Sequence, residues 1–514
     1  MRDVLLGVDV GTSACKVTAF TADGAELASA SMPYPIRRPA PGHVEQDPRD
    51  WLEAVYEGIA KVLADAELDP ARIAGVGVDG QSWACVPLSA EGEVLADTPI
   101  WMDTRAADIC AAAEQRVGAE RILALSGNRL APSYTTGKIL WFRKHRPDVY
   151  RRTRWFLQSN SYIVYGLTGA ITQDASQGYG LHVIDVATGG YDDAMCDALA
   201  IDRQLLPEIV ESHDVVGHVT PAAAARTGLR AGTPVVAGGL DAACGTLGAG
   251  VHLPGQVQEQ GGQAGGMSIV VDRPVADRRL ILSRHVVPGA WLLQGGTVAG
   301  GASLRWLVGE VGETERAVAQ ASGRGTFELV SDLAGTIRAG AAGTVFLPYL
   351  AGERSPIWDP QATGVFFGLT FATSRAHLYR ATMEGVAYAL RHNIEVAEEL
   401  GLTVGDMHAI GGAATSPVWT QIKADIAGRT IHVPASETAT TLGAAILAGV
   451  GTGVYRDWTE AIARTVQVRR THRPDVTTAE VYDRGFATYR ELYVRLAPTM
   501  AAAAASSSPT MEGH

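Results

Sequence analysis

The chain has 514 residues, of which 46% are hydrophobic and 19% charged, and its net charge is -12. This length exceeds what one hydrophobic core supports, so two or more domains are expected. The acidic balance, with no basic block interleaved with aromatic residues, excludes nucleic acid as an expected partner and disfavours anionic membrane surfaces.

Membrane insertion and secretion are not expected either. The richest apolar stretch, residues 442–451, is half too short to span a bilayer, and the first ten residues are too short for a signal peptide. The five cysteines are odd in number and scattered, which fits neither a disulfide framework nor a zinc site. A reducing cytoplasm is therefore the expected location.

The first predicted element is a strand-turn-strand hairpin that carries a phosphate site. An apolar run, residues 4–10, ends in Asp9 and Val10, and a second β-rich run follows from Lys16. In the turn, Gly11 permits a close backbone approach, and Thr12 and Ser13 offer hydroxyl and N–H donors. Asp9 can hold a magnesium ion and Lys16 supplies a positive charge. The alternative is an ordinary hairpin with a polar turn.

A helix and two buried strands come next. Asp47 and Pro48 are an N-cap and a first helical residue, and the helix they open has one apolar face. Residues 73–78 predict a buried strand that leads into the segment 79–83, DGQSW. Residues 234–239 predict another buried strand, and Asp241 follows it. Asp241 is the candidate base for a phosphoryl transfer, with a helix-capping aspartate as the alternative.

After residue 250 the pattern of strands and helices restarts. A second glycine loop, residues 261–266, has the backbone freedom to hold phosphates. A third loop, residues 411–416, permits a flat purine to lie against glycines just before a helix. Long helices are predicted at about 374–399 and at 416–427. Each loop alone is more often an ordinary turn. Both halves predict an α/β fold with a mixed sheet and crossing helices, and the domain boundary is placed near Ala249.

Two long motifs resemble the FGGY carbohydrate kinase family, most closely its xylulokinase branch. One is SYTTGKILWFRKH at 133–145, and the other joins GVFFGL at 364–369 to HLYRATME at 377–384. Shorter matches lie at 45–51, 101–105 and 301–306, and the resemblance covers nearly the whole chain. It implies two actin-like, ribonuclease-H-like domains, residues 1–249 and 250–498, around a cleft that holds ATP and a sugar.

The resemblance also implies roles for the residues already singled out. Asp241 would deprotonate the accepting hydroxyl and Asp9 would organise Mg²⁺. The remaining expected site residues fall into three groups: phosphate contacts at Gly11, Thr12, Ser13, Lys16, Gly261, Gly262 and Gln263; nucleotide contacts at Gly301, Arg305, Gly411, Gly412, Ala413 and Ser416; and substrate contacts at Gln81, Ser82, Trp83, Asp103 and Asp241.

Four positions depart from the family's pattern. Gln263 stands where the second phosphate loop usually has threonine, so a hydroxyl donor is missing there. Ser82 and Trp83 stand where xylulokinases usually have Met-His, and Ala242 stands where they usually have asparagine. The loss of polar contacts and the gain of an indole predict stacking on one face of the sugar. Because a buried site selects by its own polar groups, these changes leave the sugar open.

The expected activity is ATP-dependent phosphorylation of a primary hydroxyl of a ketose or polyol, and a D-xylulose-like sugar is the first candidate. Alternatives are glycerol, erythritol, gluconate, ribulose or the autoinducer dione as acceptor, and, in another class, an actin-like ATPase without sugar transfer. The expected partners are ATP/ADP and the sugar or polyol, and homodimers are common among relatives. The Ala/Ser-rich end, residues 499–514, is expected to be a disordered tail with a cloning remnant.

Overall fold

A computed structural model describes residues 3–507 of the chain. The strands are β1 (Val4–Val10), β2 (Ala14–Thr21), β3 (Glu26–Pro33), β4 (Glu45–Gln46), β5 (Ile73–Gly80), β6 (Val86–Leu88), β7 (Thr98–Pro99), β8 (Trp155–Leu157), β9 (Gln173–Asp174), β10 (Ile209–Val210), β11 (Val215–His218), β12 (Pro234–Val236), β13 (Gly239–Leu240), β14 (Val257–Gly261), β15 (Gly265–Val271), β16 (Ile281–Arg284), β17 (Trp291–Thr297), β18 (Val345–Leu347), β19 (Val365–Phe367), β20 (Met407–Ile410), β21 (Ile431–Pro434) and β22 (Val468–His472).

The helices are α1 (Pro48–Asp65), α2 (Ala107–Val117), α3 (Ala119–Ser126), α4 (Thr135–His145), α5 (Pro147–Arg152), α6 (Ser159–Thr168), α7 (Asp193–Leu199), α8 (Pro221–Thr227), α9 (Asp241–Gly248), α10 (Gly301–Val311), α11 (Glu313–Ser322), α12 (Thr326–Gly335), α13 (Arg375–Glu399), α14 (Pro417–Ala427), α15 (Ala439–Gly451), α16 (Trp458–Thr465) and α17 (Ala479–Ser507). Within the described range, none of them is both long enough and apolar enough to cross a membrane.

The chain forms two compact units, and their boundaries differ from the expected single boundary near Ala249. Unit 1 comprises Met1–Pro254, Val270–Leu292 and Thr438–Gln467, and unit 2 comprises Gly255–Ile269, Leu293–Glu437 and Val468–His514. The late segment joins unit 1 because α15 packs against β1, β5 and α9. Gly77 on β5 permits this packing, since any side chain there would collide with the Ala444 carbonyl of α15.

Unit 1 is built on a mixed sheet with the strand order β11-β12-β5-β1-β2-β3, and β13 pairs with the end of β5. The strands β1, β5, β12 and β13 run parallel, whereas β2, β3 and β11 are antiparallel to their neighbours. The apolar face of α1, which includes Trp51, Val55 and Ile59, is fully buried in the core of this unit. As predicted, Asp47 caps α1 and accepts a hydrogen bond from the N–H of Arg49 at 3.0 Å.

Unit 2 contains the consecutive strands β15-β14-β20-β21-β22, again a mixed arrangement, because β14, β20 and β21 are parallel and the outer two are antiparallel. The predicted long helix is present as α13, with Ser374 as its N-cap, and α14 begins after Ser416 as predicted. The prediction of an α/β fold with mixed sheets is confirmed for both units.

The C-terminal segment differs from its prediction. Helix α17 continues through Pro498 to Ser507, so the expectation of disorder is wrong for residues 499–507. The alanine run at 501–505 favours a helix, and Met500 is buried in the core of unit 2, which holds the preceding turn in place. Residues 508–514 lie outside the described part of the chain.

Candidate active site

The predicted hairpin at the N-terminus is present. Strands β1 and β2 pair in antiparallel register, and the N–H of Gly11 donates to the carbonyl of Ala14 at 3.2 Å across the turn. Asp9 pairs with Lys16 in this register, so the lysine charge acts on the aspartate. Ser13 is exposed at the tip of the turn.

Three polar side chains hydrogen-bond to the residues of the turn. The indole N–H of Trp101 donates to the Thr12 hydroxyl oxygen at 2.9 Å, and the Gln46 amide donates to the Thr12 carbonyl at 2.8 Å. The Tyr34 hydroxyl donates to the carbonyl of Gly11 at 2.5 Å. These contacts fix the backbone of the turn while its tip stays exposed, which is the arrangement that a preorganised anion site requires.

Three aspartates meet at one edge of the unit 1 sheet. Asp9 and Asp79 are direct neighbours in the parallel pairing of β1 and β5, and Asp241 starts α9 directly after β13, which pairs with β5. The carboxyl ends of parallel strands lie at the same edge, so the three carboxyl groups share it. Asp79 is fully buried, whereas Asp9 and Asp241 keep part of their surface open to solvent.

The environment of this edge raises the pKa of all three groups. Burial raises the pKa of Asp9 to about 6, against the opposing effects of Asp79 and Lys16. Burial and then the charge of Asp9 raise the pKa of Asp241 to about 7, although the Ala242 N–H donates to its carboxylate at 2.7 Å. Burial, followed by the charges of Asp9 and Asp241, raises the pKa of Asp79 well above its ordinary value.

Asp79 was not among the predicted site residues. Neither of its carboxyl oxygens receives a hydrogen bond from an N–H or hydroxyl group of the described residues. The carboxyl groups of Asp9 and Asp79 can therefore hydrogen-bond to each other when one of them is protonated. The sequence did contain a signal, because Asp79 ends a buried apolar run, the same pattern that singled out Asp9 and Asp241.

The predicted substrate residues lie in the same unit but have different environments. Gln81 is fully buried, and its amide donates to Gln46 at 2.9 Å, so it supports the hairpin turn. Asp103 is also fully buried and accepts hydrogen bonds from the Val44 N–H at 2.6 Å and from Arg105 at 2.8 Å. These contacts leave the roles of Gln81 and Asp103 toward a substrate as predictions.

Ser82 and Trp83 belong to an aromatic cluster. The hydroxyl of Tyr179 donates to the Ser82 hydroxyl at 2.8 Å. The indole of Trp83 stacks on Tyr134 with ring centroids 4.2 Å apart and lies 5.5 Å from the ring of Tyr179. Sequence reasoning missed both tyrosines. The Tyr134 ring covers one face of the Trp83 indole, so that face is not available for the predicted stacking on a sugar.

The second predicted glycine loop contacts the start of α10 in unit 2. The β14–β15 hairpin contains Gly262 and Gln263, and α10 begins at Gly301 against this loop. The N–H of Gly301 donates to the Gly262 carbonyl at 2.9 Å, and that of Ala302 donates to the Gln263 carbonyl at 3.0 Å. A side chain at position 301 would collide with the Gly262 carbonyl, so glycine is required there.

A cavity of about 560 Å³ opens beside this loop and extends to the third one. Its volume lies in the usual range for small-ligand pockets. The predicted residues that line it are Gly261, Gly262, Gln263, Gly301, Arg305, Gly412, Ala413 and Ser416. The predicted residue Gly411 lines a neighbouring cavity of about 220 Å³ instead.

Helices α12 and α14 complete the large cavity, and sequence reasoning missed the residues they contribute. Phe327, Ser331 and Trp419 are among them, and the hydroxyls of Ser331 and Ser416 are 2.8 Å apart. No motif marked α12, because its contribution is an amphipathic face rather than a pattern of chemical groups.

Comparison with known proteins identifies a family for both halves of the chain. Residues 4–248 match the N-terminal domain of the FGGY family of carbohydrate kinases, and residues 271–452 match its C-terminal domain. The fold and these two matches define a two-domain sugar phosphotransferase. The chain belongs to the FGGY family of carbohydrate kinases.

Individual relatives cover almost the full length. The xylulose kinase of Bacillus subtilis (strain 168) is 30% identical over 491 residues, which cover 95% of this chain and 96% of that protein. The gluconokinase of Bacillus licheniformis is 27% identical over 485 residues, 94% of each. A crystal structure of xylulose kinase from Rhodospirillum rubrum superposes with a TM-score of 0.88 at 32% identity, covering 97% of this chain and 99% of that one.

Proposed function

We propose that the protein transfers the γ-phosphoryl group of ATP to a primary hydroxyl of a ketose, with D-xylulose as the first candidate. The observation that carries this proposal is the position of Asp241. It begins α9 at the sheet edge that also carries Asp9, and its pKa of about 7 lets it exchange a proton near neutral pH. The likeness to xylulose kinases supports D-xylulose, and the likeness to a gluconokinase supports gluconate as the alternative.

The proposed chemistry assigns one proton transfer to Asp241. As the hydroxyl oxygen of the acceptor forms its bond to the γ-phosphorus, the bond from that phosphorus to the β,γ-bridging oxygen breaks and ADP leaves. The proton of the hydroxyl passes to the free carboxylate oxygen of Asp241. The N–H groups of the hairpin turn, with Thr12 and Ser13, would donate to phosphate oxygens, and Lys16 would add its positive charge.

The residues at this edge fit a magnesium ion. Burial raises the pKa values of these carboxyl groups, and one of them receives no hydrogen bond within the described residues, so a divalent cation would stabilise their ionised forms. Within the described residues no group of three or more His, Cys, Asp or Glu side chains is arranged as a metal site. Asp9 would hold the ion mainly through water and phosphate oxygens, as Mg²⁺ prefers. When bound, Mg²⁺ neutralises the charge that develops on the phosphoryl group.

The cavity in unit 2 is proposed as the nucleotide site. Its lining combines backbone N–H groups of two glycine loops with Arg305 and with the apolar surfaces of Phe327 and Trp419. Glycine backbone and a cation suit phosphates and ribose, and a flat apolar wall suits a purine. Gly261, Gly262 and Gln263 would face the phosphates, with backbone donors in place of the missing threonine hydroxyl.

A coupled ADP-release assay over ketoses, polyols and aldonates tests the proposal. D-xylulose is expected to give the highest kcat/KM, with strict dependence on ATP and Mg²⁺. A higher kcat/KM with gluconate, glycerol, erythritol or ribulose would replace the acceptor. ATP turnover indifferent to every acceptor would favour the actin-like ATPase. A cytoplasmic location and a homodimer stay predictions, to be checked by cell fractionation and by light scattering.

A further inference from the structure

Lys138 is a buried amine for which neither the sequence motif nor the reaction supplies a role. Its side chain, on α4, is fully buried. Its ammonium group donates to the backbone carbonyl of Trp83 at 2.6 Å. Burial lowers its pKa to about 7, although Cys85 and Asp103 oppose the shift. A buried lysine is costly unless it is paired, and the hydrogen bond to the Trp83 carbonyl offsets part of that cost.

The backbone that Lys138 contacts has an unfavourable conformation. Trp83 has φ of +61°, in the left-handed region that a bulky side chain rarely adopts. Such a residue keeps this conformation only where its surroundings impose it, and such positions cluster at functional sites. Trp83 belongs to the segment 81–84, which we call the acceptor loop because it contains the predicted substrate contacts Gln81, Ser82 and Trp83.

The start of α4 holds the acceptor loop through three contacts. Tyr134 stacks on the indole of Trp83, the Thr135 hydroxyl donates to the Ala84 carbonyl at 3.2 Å, and Lys138 binds the Trp83 carbonyl. Residues 134 and 138 are four apart, so both lie on the same side of the helix. The ring and the amine therefore fix the side chain and the backbone of Trp83 together.

The opposite side of the acceptor loop is equally restricted. Tyr179 donates to the Ser82 hydroxyl, and a side chain at Gly180 would lie 2.8 Å from the Trp83 indole. The indole N–H of Trp83 is buried and finds no acceptor within the described residues. The position of that N–H depends on the backbone that Lys138 holds.

We propose that Lys138 is a positioning residue for the acceptor: its hydrogen bond to the Trp83 carbonyl sets the left-handed backbone of the acceptor loop and thereby the geometry of acceptor binding. This inference rests on the proposed function, since it requires that the acceptor loop contacts the acceptor. Lys138 itself transfers no proton in the reaction.

Steady-state kinetics of Lys138→Met tests the proposal, because methionine has similar length and no donor. We expect kcat/KM for the acceptor to fall by about 10- to 100-fold, as misplacement of a substrate by about 1 Å can cause. The KM for ATP should change by less than about twofold, because Lys138 is not among the residues that line the proposed nucleotide cavity. Lys138→Gln, which keeps a donor on a shorter chain, should recover part of the loss.

Lys144→Met is the matched control, since it makes the same substitution at an exposed position of the same helix and should leave the kinetics unchanged. Should Lys138→Met not fold, the comparison is made with Lys138→Gln. Unchanged acceptor kcat/KM in a folded variant, or an equal rise of both KM values, would overturn the inference. A parent enzyme that phosphorylates no acceptor would instead count against the proposed function.

Discussion

Asp9 and Asp79 are register partners on parallel strands, and among the described residues no N–H or hydroxyl group donates to either carboxyl oxygen of Asp79. The positive charge that acts on Asp9 is that of Lys16, its partner on β2. Two carboxyl groups in such contact cannot both ionise without a cation. The free protein therefore carries an electrostatic penalty at this edge that a bound magnesium nucleotide would relieve.

Replacing Asp241 by asparagine should reduce kcat by roughly 10²- to 10⁴-fold, the usual contribution of a positioned acid–base group. The amide cannot accept the proton of the hydroxyl but fills the same space. Nucleotide affinity, measured by calorimetry, should remain close to that of the parent. Asp202→Asn, at an exposed cap, is the control and should keep full activity. Activity of Asp241→Asn within tenfold of the parent would remove the residue from the base role.

The pH dependence of kcat/KM for the acceptor should show an acidic limb near pH 7. A general base must be deprotonated, and the pKa of Asp241 is raised to about 7 by burial and by Asp9. Activity is thus present above this pH and lost as the pH falls through it. The check is a profile at saturating ATP and Mg²⁺. A limb near the ordinary aspartate pKa of 3.8 would contradict the assignment.

Asp79→Asn should stabilise the ligand-free protein at neutral pH. Because the folded state raises the pKa of Asp79 above 3.8, its contribution to stability is fully present below that pH and is lost as the pH rises through the folded pKa. Asparagine cannot ionise, so the free energy of unfolding at neutral pH should increase, by roughly 1.4 kcal/mol for each unit by which folding raises this pKa.

Thermal denaturation at two pH values measures this effect. The gain of Asp79→Asn over the parent should be larger at about pH 8 than at about pH 5, because folding raises this pKa and the unfolded parent releases a proton that the folded parent tends to keep. Asp69→Asn, at an exposed cap, should show no comparable difference. An Asp79→Asn variant less stable than the parent at the higher pH would show that the carboxylate has a partner here.

Gly301→Ala should weaken ATP binding by about tenfold or more, since the new methyl group displaces the Gly262 carbonyl and with it the phosphate loop. Gly309 on the same helix offers a control, because a methyl group there meets no other atom. Gly309→Ala should leave the KM for ATP unchanged and stabilise the helix by about 1 kcal/mol. Equal KM values for both variants would argue that the loop position does not govern nucleotide affinity.

The local elements of the fold could be predicted from the sequence. The cap at Asp47, the hairpin at Gly11 and the helices after Ser374 and Ser416 follow from short-range chemistry, and all are present. The unit boundaries did not follow, because α15 joins unit 1 through packing with strands more than 350 residues earlier in the chain. No local pattern encodes such a contact.

The candidate site divides in the same way. Asp9, Asp241 and the glycine loops were found from the sequence, because strand-end acids and glycine turns are local signatures of phosphate chemistry. The partnership of Asp79 with Asp9, the covering of Trp83 by Tyr134 and the hold of Lys138 on the acceptor loop required the tertiary structure. The sequence determines which chemical groups are present. Burial and the distances between groups, which set pKa values and backbone strain, arise only when distant segments of the chain pack together.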